Sequence, residues 1–290
     1  MAQAWALYHM AAGENDKARV FLEELVATYS GMTTPWHMLA NVLVVQKDAK
    51  SMEGLAKKLR ELPRQDFHVC RALAAAAAMK NDGPAMRQYL EQALLYKPRD
   101  ASTLDLLIRM DMKELRHDLA EQHARELLRA RPDHAYANYV MGAAQMRRRE
   151  YKLAEDSLSR SLHGTRSPET LNDLAWAILK NGRAEDAEEL AKEALAKDNQ
   201  LAMAWDTLGM AYLNQGKLDE ARAAVQEALN ILPKMPELLL HLAQVEAAAG
   251  LYKNADELIQ KALPNADRMW VEEREALQVL SREVREAVKK

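Results

Sequence analysis

Disulfides, bilayer-crossing helices, glycine-rich loops and a strong charge of either sign are all missing from this sequence of 290 residues. The single cysteine, Cys70, has no partner for an intrachain disulfide and cannot build a multi-cysteine metal site; it is expected as a small core residue and leaves the redox compartment open. No apolar run approaches the roughly 20 residues that a membrane span requires. The opening MAQAWALYHM has neither the basic start nor the apolar centre of a secretory signal. Direct membrane insertion by this segment is therefore not expected, and localisation, cytoplasmic or periplasmic, stays open. Forty Lys and Arg against 43 Asp and Glu give a formal charge of −3, without the bulk positive charge that offsets phosphates. Nucleic acid is not expected as a partner.

Reaction chemistry is equally sparse. The eight histidines are scattered, and His117 and His123 stand six apart rather than at the i, i+4 spacing that puts two imidazoles on one metal. There is no HExxH and no phosphate-cradling glycine loop. Asp111, Glu114 and His117 fall on one helix face, where a solvated charged edge is the expected reading. No catalytic residue, no metal site, no cofactor and no enzyme activity are expected.

What the chain does contain is a period. The stretch AWDTLGMAYLNQGKLDEARAAVQEAL, from Ala204 to Leu229, is matched 34 residues later and 34 earlier, and the register continues upstream with a single 33-residue step. One column is large and apolar: Trp5, Leu39, Leu73, Leu107, Met141, Leu174, Leu208 and Leu242. The next residue is small, namely Ala6, Ala40, Ala74, Gly142, Ala175, Gly209 and Ala243, with Ile108 the exception. A third column holds Ala18, Met52, Met86, Ala120, Ala154, Ala187, Ala221 and Ala255. Pro98, Pro132 and Pro233 fall in phase, where a helix should stop.

Within a unit, apolar spacing of three and four predicts a helix from Trp205 to Asn214. Gln215-Gly216-Lys217 then interrupts, and a second amphipathic run carries Leu218, Ala221, Val225, Ala228 and Leu229. The small columns let two helix backbones approach closely, and that need outweighs the helix-propensity cost of Gly209, roughly 1 kcal/mol.

The unit with Trp205, Leu208, Gly209, Tyr212, Gly216, Ala221, Ala228 and Pro233 resembles the tetratricopeptide repeat. The resemblance implies an all-α right-handed superhelical solenoid of about eight helix-turn-helix units, at 1–32, 33–66, 67–100, 101–134, 135–167, 168–201, 202–235 and 236–269. The amphipathic segment 270–290 is expected as a C-terminal capping helix. Units 33–66, 67–100 and 101–134 depart from the pattern, lacking the turn glycine and the aromatic found at Tyr212. Trp5 stands where a core residue belongs and no cap precedes it, so Met1 is expected inside a longer array, with self-association through the uncapped N-terminal end.

The resemblance further implies a concave face lined by the second, fifth, ninth, twelfth and thirteenth places of the first helices, and a protein or peptide held there. Partner-binding residues on that reading are Arg71, Arg109, Lys113, Tyr136, Tyr139, Met146, Arg147, Asn172, Trp176, Lys180 and Met210. Arg71, Arg109, Lys113, Arg147 and Lys180 outnumber Asp105 and Glu169 on this face, which favours an acidic segment. Tyr136, Tyr139 and Trp176 are of the types enriched at binding hot spots. Family members that grip chaperone C-termini use a clamp of Lys and Asn, then Asn, then Lys and Arg. His37 and Asn41 imitate the first pair, but Ala72, Ser102 and Leu106 break the rest.

The run LNDLAWAILKNGRAEDAEELAKEAL also resembles repeats of bacterial scaffolds associated with exopolysaccharide export and exosortase-type systems. The expected function is a protein-protein interaction scaffold binding a peptide or helical segment. The alternative is an accessory domain that positions an enzyme or secretion partner.

Overall fold

The computed structural model describes residues 2–63, 65–164 and 166–289; Met1, where the first repeat opens, lies outside them. Two compact units divide the chain, Met1–Pro132 and Asp133–Lys290. The first holds α1 (Ala2–Ala11), α2 (Asn15–Thr28), α3 (Thr33–Val45), α4 (Ala49–Glu61), α5 (Phe67–Met79), α6 (Gly83–Tyr96), α7 (Ala101–Lys113) and α8 (His117–Ala130). The second holds α9 (Ala135–Arg147), α10 (Tyr151–Ser161), α11 (Pro168–Lys180), α12 (Ala184–Lys197), α13 (Ala202–Asn214), α14 (Leu218–Ile231), α15 (Pro236–Ala248) and α16 (Tyr252–Ala262). A 3-10 turn over Leu263–Arg268 leads into α17 (Val271–Val288). Each unit is an all-α stack of helix-turn-helix hairpins, and the described residues form no strand. No helix among them is long and apolar enough to cross a membrane.

Local chemistry starts and stops these helices in phase. Asp66 accepts from the backbone N–H of His68 and Val69 at 2.9 and 3.1 Å, and Asp100 from Thr103 at 2.9 Å. His134 and Ser167 do the same for Ala137 and Thr170. These caps recur at one place of the repeat and satisfy donors that the first helical turn leaves open.

The turn inside each hairpin needs one residue in the left-handed region. Gly13, Gly182, Gly216 and Gly250 supply it in four hairpins. In the other four, Lys47, Asn81, Leu115 and Arg149 adopt φ of 55°, 54°, 57° and 62° at the same place. The units without a turn glycine therefore keep the turn and carry its strain.

Helices approach closely at the small column. A methyl carbon added to Gly209 would overlap the Val225 side chain and press on Ala221 O and Val225 N at 3.2 Å each. On Gly142 it would stand 2.6 Å from Leu158 Cγ, at the equivalent place of another hairpin. The same two places of α7 and α8 are held by Ile108 and Ala124, both fully buried. The exception in the column thus moves bulk from the second helix to the first, keeping the pair fillable.

Three expectations change. Trp5 is 53% exposed, with Leu7 and Tyr8 exposed beside it, because no described element covers that side of α1. Asp111 is no solvated edge: it is fully buried, 2.6 Å from Arg87 Nη2 and 2.8 Å from His123 Nδ1. Met86 is only half-buried in its column. Cys70 is buried against Phe67 and Ala93, and burial pushes its thiol up.

Two stability measurements check this packing by urea unfolding. Gly209→Ile should cost about 1–3 kcal/mol, and adding Val225→Ala should recover more than half of that, reproducing the Ile108 and Ala124 arrangement. A double variant no more stable than the single one contradicts the register. Leu115 is 75% exposed, so Leu115→Gly removes turn strain with little packing loss and should stabilise by about 0.5–1 kcal/mol.

Candidate functional site

The residues expected to meet a partner are shared between the two units. Arg71, Arg109 and Lys113 lie in the first, on α5 and α7. Arg109 is exposed and forked onto Asp105 one turn back, Nε to Oδ2 at 2.8 Å and Nη2 to Oδ1 at 3.3 Å. Lys113 is exposed at the end of α7. Arg71 is half-buried, and its Nε and Nη1 lie away from solvent with no acceptor. Burial holds its guanidinium below the ordinary value, with Asp100 opposing that shift.

The second unit gathers the remainder. On α9, Tyr136 and Tyr139 stack with ring centroids 6.2 Å apart. Tyr139 is pushed up to about 12, by burial first and then by Asp173 on α11, to which it is hydrogen-bonded. Asp173 itself is raised to about 6, because burial outweighs the hydrogen bonds from Asn172 and Tyr139. Met146, Trp176 and Met210 are half-buried and pack on the apolar core of this unit. Arg147 is half-exposed at the end of α9. Asn172 faces inward: it is buried, and its Oδ1 accepts from Thr207 Oγ1 of α13 at 2.8 Å.

Trp176 is the centre of a layered group. Lys180 Nζ stands 4.8 Å from its ring centroid, and the His241 ring lies 5.6 Å away at a 37° tilt. His241 and Asp206 form a buried pair, with Nδ1 2.8 and 2.9 Å from the two carboxylate oxygens. Burial alone would lower the histidine, but Asp206 outweighs it, and His241 is held above its ordinary 6.5.

Spacing did not reveal the partner of Lys180. Its Nζ donates to Glu272 Oε1 at 2.8 Å, from the first turn of α17, while Tyr151 Oη donates to Glu272 Oε2 at 2.6 Å. Arg149 lies 3.7 Å from carboxylate oxygens of both Glu272 and Glu275. Burial pushes the Glu272 carboxyl up, but Lys180 and Tyr151 prevail and hold it below the usual range. The segment expected only to cap the stack therefore also places its acidic first turn on the basic and aromatic residues of α9–α11.

Comparison with known proteins fits this architecture. A family model described as a tetratricopeptide repeat matches residues 202–235, and a second of the same description matches 111–169. The chain carries tetratricopeptide repeats. No curated protein matches it in sequence. Among solved structures, a chain of the APC/C hetero-tetramer Cut9-Hcn1 is similar with a TM-score of 0.56 and 14% identity, over 93% of this chain. The present chain spans about half the length of that one, 52%. PilW, a widely conserved type IV pilus biogenesis factor, is similar with a TM-score of 0.53 and 19% identity, covering 75% of this chain and 99% of its own. At these identities the likeness is one of fold: stacked tetratricopeptide hairpins.

The Asp206 and His241 pair makes the second unit pH-sensitive. A histidine held above its unfolded value contributes stability that is fully present below that value and is lost as pH climbs through the folded one. Wild type should therefore lose more stability than His241→Gln between about pH 6 and about pH 9, as read by urea unfolding. Equal losses would contradict the assignment.

Proposed function

We propose that this tetratricopeptide-repeat chain is a protein-interaction scaffold, and that α9, α11 and α13 of its second unit receive an acidic helical segment of a partner. The observation that carries the reading is the seat of Glu272. Lys180 and Tyr151 take its two oxygens, Arg149 flanks it, and Trp176 lies beneath Lys180. A carboxylate on a helical turn already fits this surface.

The energetics favour exchange. Lys180 and Glu272 are each only partly buried, and such partly exposed ion pairs contribute about 0–1 kcal/mol. Leu277 and Val284 anchor the rest of α17 in the apolar core, so the exchange proposed is confined to its first turn, where an acidic helix of the partner would take the place of Glu272. Half-buried Trp176 and the Tyr136 and Tyr139 stack supply the rigid aromatic area that anchors interfaces. Arg71, Arg109 and Lys113 are proposed to contribute to partner binding from the first unit.

Calorimetric titration with an acidic amphipathic helical peptide copying residues 270–288 tests the proposal. Glu272→Gln with Glu275→Gln should bind it about tenfold tighter than wild type, a gain of roughly 1.4 kcal/mol. Lys180→Glu with Tyr151→Phe should bind it at least as much more weakly. Circular dichroism checks that all three are equally helical; one affinity shared by all would contradict the reading.

A further inference from the structure

The first unit holds a second set of donors, of which only Arg71 enters the reading above. His37 on α3, His68 and Arg71 on α5, and Lys97 just after α6 converge around Phe67. The His37 and His68 rings are 5.7 Å apart, His37 meets the edge of Phe67 at 6.4 Å, and Lys97 Nζ stands 4.1 Å from the Phe67 centroid. His68 Nδ1, Arg71 Nε and Arg71 Nη1 are all removed from solvent without a hydrogen-bond partner.

Two carboxylates are near, and both are engaged elsewhere. Asp66 holds the N–H groups of His68 and Val69 and the hydroxyl of Thr33, 2.6 Å away. Asp100 takes the N–H and hydroxyl of Thr103 and the hydroxyl of Ser102. Asp100 takes all three on Oδ2 and acts on Arg71 only through its charge, so Nε and Nη1 of Arg71 are left without a hydrogen-bond acceptor. A buried polar group in that condition costs about 1–3 kcal/mol, and more if charged. Its persistence calls for a ligand that offsets the cost.

We infer that His37, His68, Arg71 and Lys97 form a receptor for one compact oxyanion, a phosphate or carboxylate group carried by a peptide segment. A planar guanidinium suits either group bidentately, and an ammonium adds a point charge. Lys97 and Asp100 also border an open hollow of about 610 Å³ lined with Pro98 and Arg99, which gives the cluster room beside it. This site uses none of the acidic-helix surface on the second unit and shares only Arg71 with the residues proposed above to meet a partner.

Proton uptake accompanies occupancy. Burial lowers His37 to about 4, and Arg71, His68 and Lys97 press it further down, with Asp100 alone opposing them. An anion among these groups reverses that electrostatic balance, so binding raises the histidine and tightens as pH falls from neutral toward 5.

The test is a titration of the full chain with inorganic phosphate and, separately, acetate, at constant ionic strength. Imidazole proton resonances of His37 and His68 are followed by NMR, assigned through His37→Gln and His68→Gln. Saturable shifts at these two histidines, with His37 gaining a proton nearer neutrality, are expected. Arg71→Gln should weaken binding at least tenfold and Arg71→Lys less, while Arg60→Gln, an exposed charge on α4, should not change it. Phosphate binding alone assigns a phosphorylated side chain, acetate alone a carboxylate, and both the shared oxyanion. No saturable shift with either ion, or equal binding by folded Arg71→Gln, overturns the proposal, as does an equal loss in Arg60→Gln.

Discussion

Everything useful in this molecule depends on how closely two helix backbones approach within a hairpin. At Gly209 and Gly142 there is no room for one more carbon, because Val225 and Leu158 occupy the space where it would go. Hairpins closed in this way stack so that Tyr139 of α9 reaches Asp173 of α11 and Trp176 of α11 reaches His241 of α15. Because neighbouring hairpins supply most of each other's burial, side chains on the first helices are presented by a rigid support. Rigid presentation is what lets weak contacts add to a usable affinity.

The chain uses its carboxylates in two ways. Asp66 and Asp100 serve as helix caps, accepting from backbone N–H groups and neighbouring hydroxyls. Asp206 and Asp111 are buried and paired with His241 and His123. Neither kind is available to neutralise Arg71, Lys180 or Arg149 in full. Lys180 and Arg149 find Glu272, from 92 and 123 residues further along the chain, whereas Nε and Nη1 of Arg71 find no hydrogen-bond acceptor. Lys180 and Arg149 are thus served by an internal carboxylate from the C-terminal helix.

Periodic features were legible from the residues alone, since eight copies of one column outweigh any single deviation. The hairpin architecture, the burial of Ala187 or Ala221 and the tightness at Gly209 follow from columns of small residues. His68 was missed, although it occupies the same repeat place as Tyr136, because its meaning depends on its neighbours Arg71 and His37. Features made by one-off, long-range meetings left no such trace. Nothing periodic marks Glu272 as a partner for Lys180, and a polar residue at an inner-face place, such as Asn172 or Asp206, turns inward only because Thr207 or His241 waits there. The left-handed turns at Leu115 and Arg149 were hidden for the opposite reason: the repeat imposes a backbone shape that the residue itself disfavours.

Hydrogen exchange of the full chain, with and without an acidic helical ligand at saturation, tests most directly whether the second unit's surface is a carboxylate-bearing helix receptor held in check by its own C-terminal turn. The account predicts faster exchange of amides in the first turn of α17 when ligand is bound, together with slower exchange in α9, α11 and α13. Unchanged or stronger protection of that turn with ligand bound would contradict it.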